Sequence, residues 1–244
     1  ILAGLALGAS RGYIYLRHEY PEQAAALWDA IRLAEQHKVC GKDVGGIKGL
    51  DFPVAVYVSP GGYICGEQSA LIEAMEGKRA QPRNRPPELG TNGLFDKPTL
   101  VNNVETLAWV PGIMLNTVVS KENPLNWYAD FGKPYPDRKG NGRGIRFFSI
   151  SGDVNRPGVY EIPIGAPMRV LLEAAGGVVG GTDNLKAIAT SGPSGGFVPR
   201  TFTVKDRLPD GKTAERTQDL LDLELDIDAY RGFGGALGAG LVVY

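Results

Sequence analysis

A glycine-rich loop between a strand and a helix is the feature that most constrains this chain. The run Val54 to Val58 predicts a strand, which leads through SPGGYICGEQ into SALIEAMEG, a helical pattern that stops at Gly77. In α/β folds such a loop lies at the carboxyl edge of the sheet, where ligands usually bind. Glycines let the backbone approach a flat ring or a phosphate, and unpaired amides at a helix start favour negative charge. The loop therefore predicts either an anionic cofactor site or a plain tight turn. It is neither a Walker loop nor a GxGxxG motif, so no known phosphate-binding motif decides between the two.

An earlier strand and helix predict that this loop belongs to a parallel sheet. The run Tyr13 to Arg17 is typical of a strand, and Pro21 to Val39 has the spacing of a helix that Gly41 can end. The face of this helix expected to enter the core consists of Ala24, Leu27, Trp28, Ile31 and Ala34. Strand, helix and strand in this order predict a right-handed βαβ unit with parallel strands.

Two adjacent amide side chains stand at the start of the next predicted helix, Asn102 to Asn116. Asn102 is a natural N-cap. The pair of Asn102 and Asn103 could equally hydrogen-bond a ring edge, a sugar chain or a phosphate without adding charge. Capping accounts for one of the two asparagines and leaves the other for a ligand.

A loop rich in proline and arginine connects these two regions, from Lys78 to Pro98. Arg79, Arg83 and Arg85 alternate with other residues along it, as expected of groups held to meet a phosphate. A solvated basic loop explains the same pattern, so both interpretations stay open.

The second half of the chain has a different pattern, beyond a linker expected at 131–144. Phe147 to Ser151 and Val159 to Pro163 flank a turn and predict a hairpin, Pro167 to Ala175 predicts a short helix, and Ala187 to Thr190 predicts a strand. This order indicates a small β-grasp fold. The predicted fold class is α/β, with a partial Rossmann-like parallel-sheet domain over 1–130 and a ubiquitin-like β-grasp domain over 145–244.

Composition excludes several function classes. Twenty-six basic residues balance 27 acidic ones, so the net charge of −1 gives no reason to expect nucleic acid or an anionic membrane as partner. Two cysteines supply neither a disulfide framework nor the four thiolates of an iron–sulfur cluster, and neither histidine has partners at metal-ligand spacing. We expect no direct membrane insertion, because the apolar runs fall short of about 18 residues.

Two stretches resemble a known family. YICGEQSALIEAMEGKRAQPRNRPP and NGLFDKPTLVNNVETLAWVPGIM resemble the FMN- and NADH-binding subunit of respiratory complex I, whose relatives serve NAD-linked formate dehydrogenases and hydrogenases. The similarity runs from about Tyr13 through Pro111. Downstream, SISGDVNRPGVYEIPIGAPMRVLLEAAGG and SGPSGGFVP resemble the β-grasp, or soluble-ligand-binding, domain of the same family.

The resemblance implies that FMN and NAD(H) are the cofactors and that hydride passes from NADH to the flavin, which returns electrons singly to iron–sulfur clusters. FMN would rest against the loop, with Gly66 and Glu67 near its ring and the two asparagines and Thr106 near its ribityl phosphate. The hydride step would need no catalytic acid or base. The candidate cofactor-binding residues are Tyr63, Gly66, Glu67, Gln68, Asn102, Asn103, Thr106 and Arg85.

Two departures from the family pattern support an alternative hypothesis. Where the family usually has a second glutamate this chain has Gln68, which removes one carboxylate beside the expected nicotinamide site. Where the family commonly has Lys-Pro-Pro-Phe this chain has Arg85-Pro86-Pro87-Glu88, so the positive charge is expected to survive while the aromatic surface is lost. The alternative is a divergent scaffold that does not oxidise NADH and docks partner subunits through the β-grasp domain.

The resemblance also implies that the chain is a middle section, lacking an amino-terminal FMN loop and a carboxy-terminal domain that holds a [4Fe-4S] cluster. Such a fragment by itself is expected to be colourless and inactive, since flavin affinity depends on enclosure from several sides. The implied partners are a small [2Fe-2S] subunit and a large iron–sulfur subunit. The implied location is the cytoplasmic or matrix side of a membrane complex, or a soluble assembly.

Overall fold

The computed structural model describes residues 1–115, 128, 142–192, 195–207 and 211–244. They divide into two compact units, Ile1–Val110 and Pro111–Tyr244. Most of the predicted linker lies outside the described residues, so the domain bounds 1–130, 131–144 and 145–244 stay predictions.

The first unit is built on a parallel strand pair, as the sequence predicted. Its helices and strands are α1 (Leu2–Ala6), β1 (Gly12–Arg17), α2 (Pro21–Gln36), β2 (Val54–Ser59), α3 (Gln68–Met75) and α4 (Val104–Leu115), the last of which runs on past Val110. Strand β1 pairs with β2 in parallel, from Gly12 opposite Val54 to Arg17 opposite Ser59. The right-handed twist of successive parallel strands requires a crossover such as α2 between them. Both strands therefore end at the same edge, where the glycine loop begins.

Helix α2 packs on the sheet through a narrower face than the sequence predicted. Ala24 is buried and Leu27, Ile31 and Ala34 are partly covered, but Trp28 is 53% exposed. Trp28 follows Leu27 directly, and one residue turns an α-helix by about 100°, which carries the indole off the packed face. The prediction that Trp28 belongs to the core was wrong.

The same helix ends earlier than predicted. Its last residue is Gln36, because Lys38 adopts a left-handed conformation with φ 57° and the Val39 amide turns back to the Ala34 carbonyl at 2.8 Å. A left-handed residue after the last turn is the usual way to satisfy terminal helix carbonyls. Lys38 therefore ends the helix, a role that the sequence had assigned to Gly41.

The second unit has the β-grasp topology that the sequence predicted. Its elements are β3 (Ile145–Gly152), β4 (Gly158–Pro163), α5 (Met168–Ala174), β5 (Ala187–Ala189), β6 (Phe197–Pro199), β7 (Thr201–Arg207), β8 (Thr213–Asp219), α6 (Ile227–Arg231) and β9 (Gly240–Val243). Five strands form one sheet in the order β4-β3-β9-β5-β6, with β3 and β9 parallel at its centre. The hairpin, the short helix and the Ala187 strand all appear within one or two residues of their predicted bounds.

One hydrophobic core holds this second unit together. Phe148 and Ile150 of β3 pack with Met168 and Leu171 of α5, and each of these side chains is at most 1% exposed. The acidic stretch Gln218 to Asp228 adds Leu220, Leu221, Leu223 and Leu225 to the same cluster. Its leucines face inward and Asp222 and Asp228 are exposed, but Asp226 is buried at 4% exposure and accepts hydrogen bonds from the Gly142 and Asp228 amides, so the stretch has no simple period in the sequence.

Candidate cofactor site

The glycine loop leaves the sheet edge through two residues that side chains rarely tolerate. Gly61 and Gly62 both have φ 110°. A Cβ at Gly61 would lie 3.0 Å from the His18 Cε1 atom, so the loop passes directly over the end of β1. The chain then makes a single 3₁₀ turn, Tyr63–Gly66, before entering α3. Glycine is needed at both positions to turn the backbone this sharply.

The outer surface of that turn presents unused backbone donors. Tyr63 is 86% exposed and Ile64 is 41% exposed. Among the described residues, neither of their amides has an acceptor, because they open the 3₁₀ turn, whereas the Cys65 amide donates to Gly62 and the Glu67 amide to Ile64. Beside Gly66 there is open space for a Cβ. Exposed amides with no Cβ in front of them fit a flat or anionic group.

Glu67 is the most highly connected residue of the predicted site. It is the N-cap of α3, and its Oε2 accepts a hydrogen bond from the Ala70 amide at 2.8 Å and from the Ser69 hydroxyl at 2.6 Å. The Ser69 hydrogen bond is the main reason that the pKa of Glu67 lies below its usual value, with the backbone amides and Arg85 adding to the effect against partial burial. Glu67 is therefore ionised and held in place at neutral pH. Its other carboxylate oxygen, Oε1, lies near the Arg85 guanidinium.

Arg85 lies beside the loop but shares its charge with two carboxylates. Its guanidinium is 3.8 Å from Glu67 Oε1 and 3.3 Å from Glu88 Oε2. One positive charge between two negative ones leaves this corner net negative. The expectation that a positive charge survives here was incomplete. Glu88 stands where an aromatic residue was expected, and its carboxylate pairs with the Arg85 guanidinium.

Arg83, predicted to meet a phosphate, instead holds the loop to α3. Its guanidinium forms ion pairs with Glu73 and Glu76 and donates to the carbonyls of Asn92 and Gly93 at 3.1 and 3.3 Å. Its side chain is only 23% exposed. The sequence left a phosphate contact and a solvated basic loop open for Arg83, and the structure favours neither, because nearby carboxylates and carbonyls occupy its donors. Arg79 is exposed, as in a solvated basic loop.

An open groove of about 590 Å³ follows this ion-pair network rather than the glycine loop. Glu73, Glu76, Arg83 and Asn92 line it together with loop residues. Burial opposes ionisation of Glu76, but hydrogen bonds from Lys78, the Phe95 amide and Arg83 prevail and lower its pKa. Its lining has three carboxylates, Glu73, Glu76 and Asp96, against two cations, Lys78 and Arg83, so the groove is a poorer candidate for an anionic ligand than the unpaired amides of the turn.

The asparagine pair opens α4, and the cap is Asn103 rather than Asn102. Asn103 Oδ1 accepts a hydrogen bond from the Glu105 amide at 2.8 Å, one residue later than predicted. Asn102 and Thr106 are exposed. Within the described residues, no hydrogen bond joins this group to the glycine loop, so their convergence on one ligand stays a prediction.

Sequence reasoning missed three buried or half-buried polar residues beneath the loop. Tyr15, Tyr57 and Ser59 lie on the two parallel strands, and Ser59 is 2% exposed. The signal was present, because Tyr15 and Tyr57 take matching positions in strands that were both predicted. The Ser59 hydroxyl accepts the loop amide of Gly61 and a hydrogen bond from Tyr15, while the Tyr57 hydroxyl donates to the Ala74 carbonyl of α3.

A metal centre and a membrane span have no counterpart in the described part of the chain. Over those residues, no group of three or more His, Cys, Asp and Glu side chains is arranged to hold a metal ion. No helix there combines the length and apolar character required to cross a bilayer.

Comparison with known proteins assigns each unit to a domain family. Residues 1–112 match the Nuo51 FMN-binding domain and residues 147–198 match the SLBB domain. The first unit is therefore similar to an FMN-binding domain, and part of the second unit is similar to an SLBB domain.

Several known proteins are similar to the chain over its whole length. An NADH-quinone oxidoreductase subunit of Rickettsia typhi is 36% identical over all 244 residues, and its counterpart in Rickettsia bellii is 35% identical. Two crystal structures of NAD⁺-reducing [NiFe]-hydrogenase, H₂-reduced and air-oxidised, match the whole chain at 30% and 31% identity with TM-scores of 0.67 and 0.69. Along its whole length the chain is therefore similar to a subunit of NADH-quinone oxidoreductase and to a chain of NAD⁺-reducing hydrogenase.

The chain spans 50% of the Rickettsia typhi protein, 51% of the Rickettsia bellii protein and 34% of each hydrogenase chain. It therefore corresponds to about half the length of the curated relatives it matches.

Proposed function

We propose that this chain is part of an NADH dehydrogenase flavoprotein subunit, in which hydride from NADH reaches FMN and electrons continue to iron–sulfur clusters. The observation that carries the proposal is the glycine turn at the carboxyl edge of a parallel sheet, where the amides of the exposed residues Tyr63 and Ile64 have no acceptor among the described residues. This is the position at which α/β folds bind nucleotide cofactors. The names of the aligned relatives agree with it, since they are NADH-quinone oxidoreductase and NAD⁺-reducing hydrogenase.

In this proposal the residues of the chain bind and orient. The backbone of Tyr63 to Gly66 lies against the flavin, while Gln68 at the start of α3 and Arg85 face the dinucleotide. Asn102, Asn103 and Thr106 offer uncharged donors and acceptors to the ribityl phosphate. When bound, FMN supplies the chemistry of accepting a hydride and releasing electrons singly. Glu67 fixes the start of α3 beneath the ring and contributes a stationary negative charge.

A second candidate is the scaffold that does not oxidise NADH, and one contact favours it. Glu88 lies 3.3 Å from Arg85 and occupies the cation that a dinucleotide phosphate would otherwise meet. Together with the uncharged Gln68, this contact changes both charged positions expected around NADH. The scaffold hypothesis therefore predicts flavin binding without reduction by NADH.

The partners and the location belong to the same proposal. The subunit would act in a multi-subunit NADH-quinone oxidoreductase, formate dehydrogenase or hydrogenase, beside a small [2Fe-2S] subunit and a large iron–sulfur subunit. The [4Fe-4S] cluster of this subunit type would be held outside the present chain. We place the assembly on the cytoplasmic or matrix side, either peripheral to a membrane complex or soluble.

Anaerobic titration of the natural-length protein with NADH separates the two candidates. The protein is first loaded with FMN, and its visible flavin absorbance is then followed as NADH is added. The enzyme proposal predicts that one NADH per FMN bleaches the flavin, and that Glu88→Gln is reduced faster than wild type when NADH is below saturation. Flavin that binds but stays oxidised would leave the scaffold candidate, and a protein that takes up no FMN would refute both.

A further inference from the structure

Two tyrosines from neighbouring strands form one unit beneath the glycine loop. Tyr15 of β1 and Tyr57 of β2 are direct partners in the parallel register. Their rings stack with centroids 5.5 Å apart and an interplanar angle of 15°. Side chains at matching positions of adjacent strands stand on the same face of the sheet, so each ring limits the movement of the other.

The Tyr15 hydroxyl begins a hydrogen-bonded chain that ends in the loop backbone. It donates to Ser59 Oγ at 2.8 Å, and the same oxygen accepts the Gly61 amide at 3.0 Å. The Gly61 carbonyl in turn accepts a weak bond from the Cys65 thiol at 3.7 Å. Gly61 is therefore held on both its donor and its acceptor side, at the residue where the backbone adopts φ 110°.

The Tyr57 hydroxyl holds the other end of the same segment. It donates to the Ala74 carbonyl at 3.1 Å, in the last turn of α3. The same carbonyl also accepts the Gly77 amide at 3.1 Å, so Tyr57 adds a second partner where the helix ends. The stacked pair therefore holds the segment at Gly61, before the turn, and at Ala74, at the end of the helix.

The same hydrogen bonds determine which backbone amides of the loop are left for a ligand. The Gly61 amide is taken by Ser59, whereas the amides of Tyr63 and Ile64, two residues that are 86% and 41% exposed, have no acceptor among the described residues. Burial is the main cause that raises the pKa of Tyr15 to about 12, with the neighbouring Cys65 adding to it, so the hydroxyl keeps its proton and stays a donor at all physiological pH values.

We propose that Tyr15 and Ser59 are positioning residues for the flavin, which set the direction of the loop amides before the cofactor binds, while Tyr57 anchors the helix behind them. The inference rests on the proposed function, because it assigns these hydroxyls to the same loop. Neither residue needs to touch the cofactor. Pre-set donors improve affinity because their ordering is already complete when the ligand arrives.

The test compares Tyr15→Phe with Tyr13→Phe in the natural-length protein loaded with FMN. Tyr13 lies on the same strand, is 39% exposed and hydrogen-bonds only to the Arg11 side chain among the described contacts, so it is the matched loss of one hydroxyl. Tyr15→Phe should weaken FMN binding about threefold to tenfold, the equivalent of one net hydrogen bond, and shift the flavin midpoint potential. Tyr13→Phe should change neither. Adding Ser59→Ala to Tyr15→Phe should cost little more, because both act through one chain of bonds.

The outcomes separate this inference from the proposed function. A natural-length protein that holds no FMN refutes the function itself. If FMN binds and NADH reduces it, but Tyr15→Phe has the dissociation constant and midpoint potential of Tyr13→Phe, the positioning role alone is refuted. Should Tyr15→Phe fail to fold, Ser59→Ala is measured against Tyr13→Phe by the same two readouts and decides in its place.

Discussion

Replacement of Arg83 by methionine should destabilise the first unit without acting on a phosphate site. The change removes the partner of Glu73 and of Glu76, whose side chains are 15% and 6% exposed, and two hydrogen bonds to backbone carbonyls. Hydrogen bonds to charged groups contribute about 1.5–3 kcal/mol each. Lys78, 2.7 Å from Glu76, still neutralises one carboxylate. We therefore expect a loss of about 2–4 kcal/mol, below the sum of the separate bonds.

Urea and thermal unfolding measure this loss, with Arg79→Met as the control for an exposed arginine in the same loop. A loss of that size corresponds to a fall of roughly 5–15 °C in the unfolding midpoint. Adding Glu73→Gln to Arg83→Met should recover part of it, because the uncompensated carboxylate is then gone. The reasoning is refuted if Arg83→Met unfolds like Arg79→Met, or if it keeps full stability and loses FMN binding instead.

The remaining predictions concern Glu67 and Glu88. Glu67→Ala removes the N-cap of α3 and should cost about 1 kcal/mol in urea unfolding, whereas Gln68→Ala, one residue inside the helix, should cost less. Because the folded pKa of Glu67 is lowered, its contribution to stability is complete above its ordinary pKa of about 4.3 and disappears as the pH falls through the lower folded value. Unfolding curves of wild type and Glu67→Gln should therefore converge as the pH falls below about 4, and a constant gap would contradict this. Glu88→Gln removes the nearer of the two carboxylates beside Arg85 and should strengthen NADH binding about twofold to fivefold at low salt, an effect that added salt should reduce.

The sequence predicted the main elements because their patterns are local. Tyr13 to Arg17 and Val54 to Val58 are short β-branched and aromatic runs around an amphipathic helix, and such a unit has one common arrangement. The β-grasp topology followed from one hairpin, one helix and one strand. Strands β7 and β8 were missed, because TFTVKDR and TAERTQD pair mainly with each other and carry little apolar alternation.

The candidate site was predictable in place but not in its connections. The glycine loop was located from its neighbours in the sequence, whereas the partners of Arg83 depend on how a loop folds back over α3. The local sequence PRNRPPE does not show whether Arg83 pairs with two carboxylates or is available to bind a phosphate. Likewise, a pair of adjacent asparagines does not reveal which one starts the helix, because either residue can cap the amides that follow.

The central claim is that the turn from Tyr63 to Gln68 and the pair Asn102 and Asn103 hold one flavin, and an experimental structure of the natural-length protein with FMN tests it most directly. We predict that the ring lies against the Tyr63 and Ile64 amides and that an asparagine amide lies within hydrogen-bond distance of the ribityl chain or phosphate. Flavin bound away from the turn, or with both asparagines out of reach, would contradict the account.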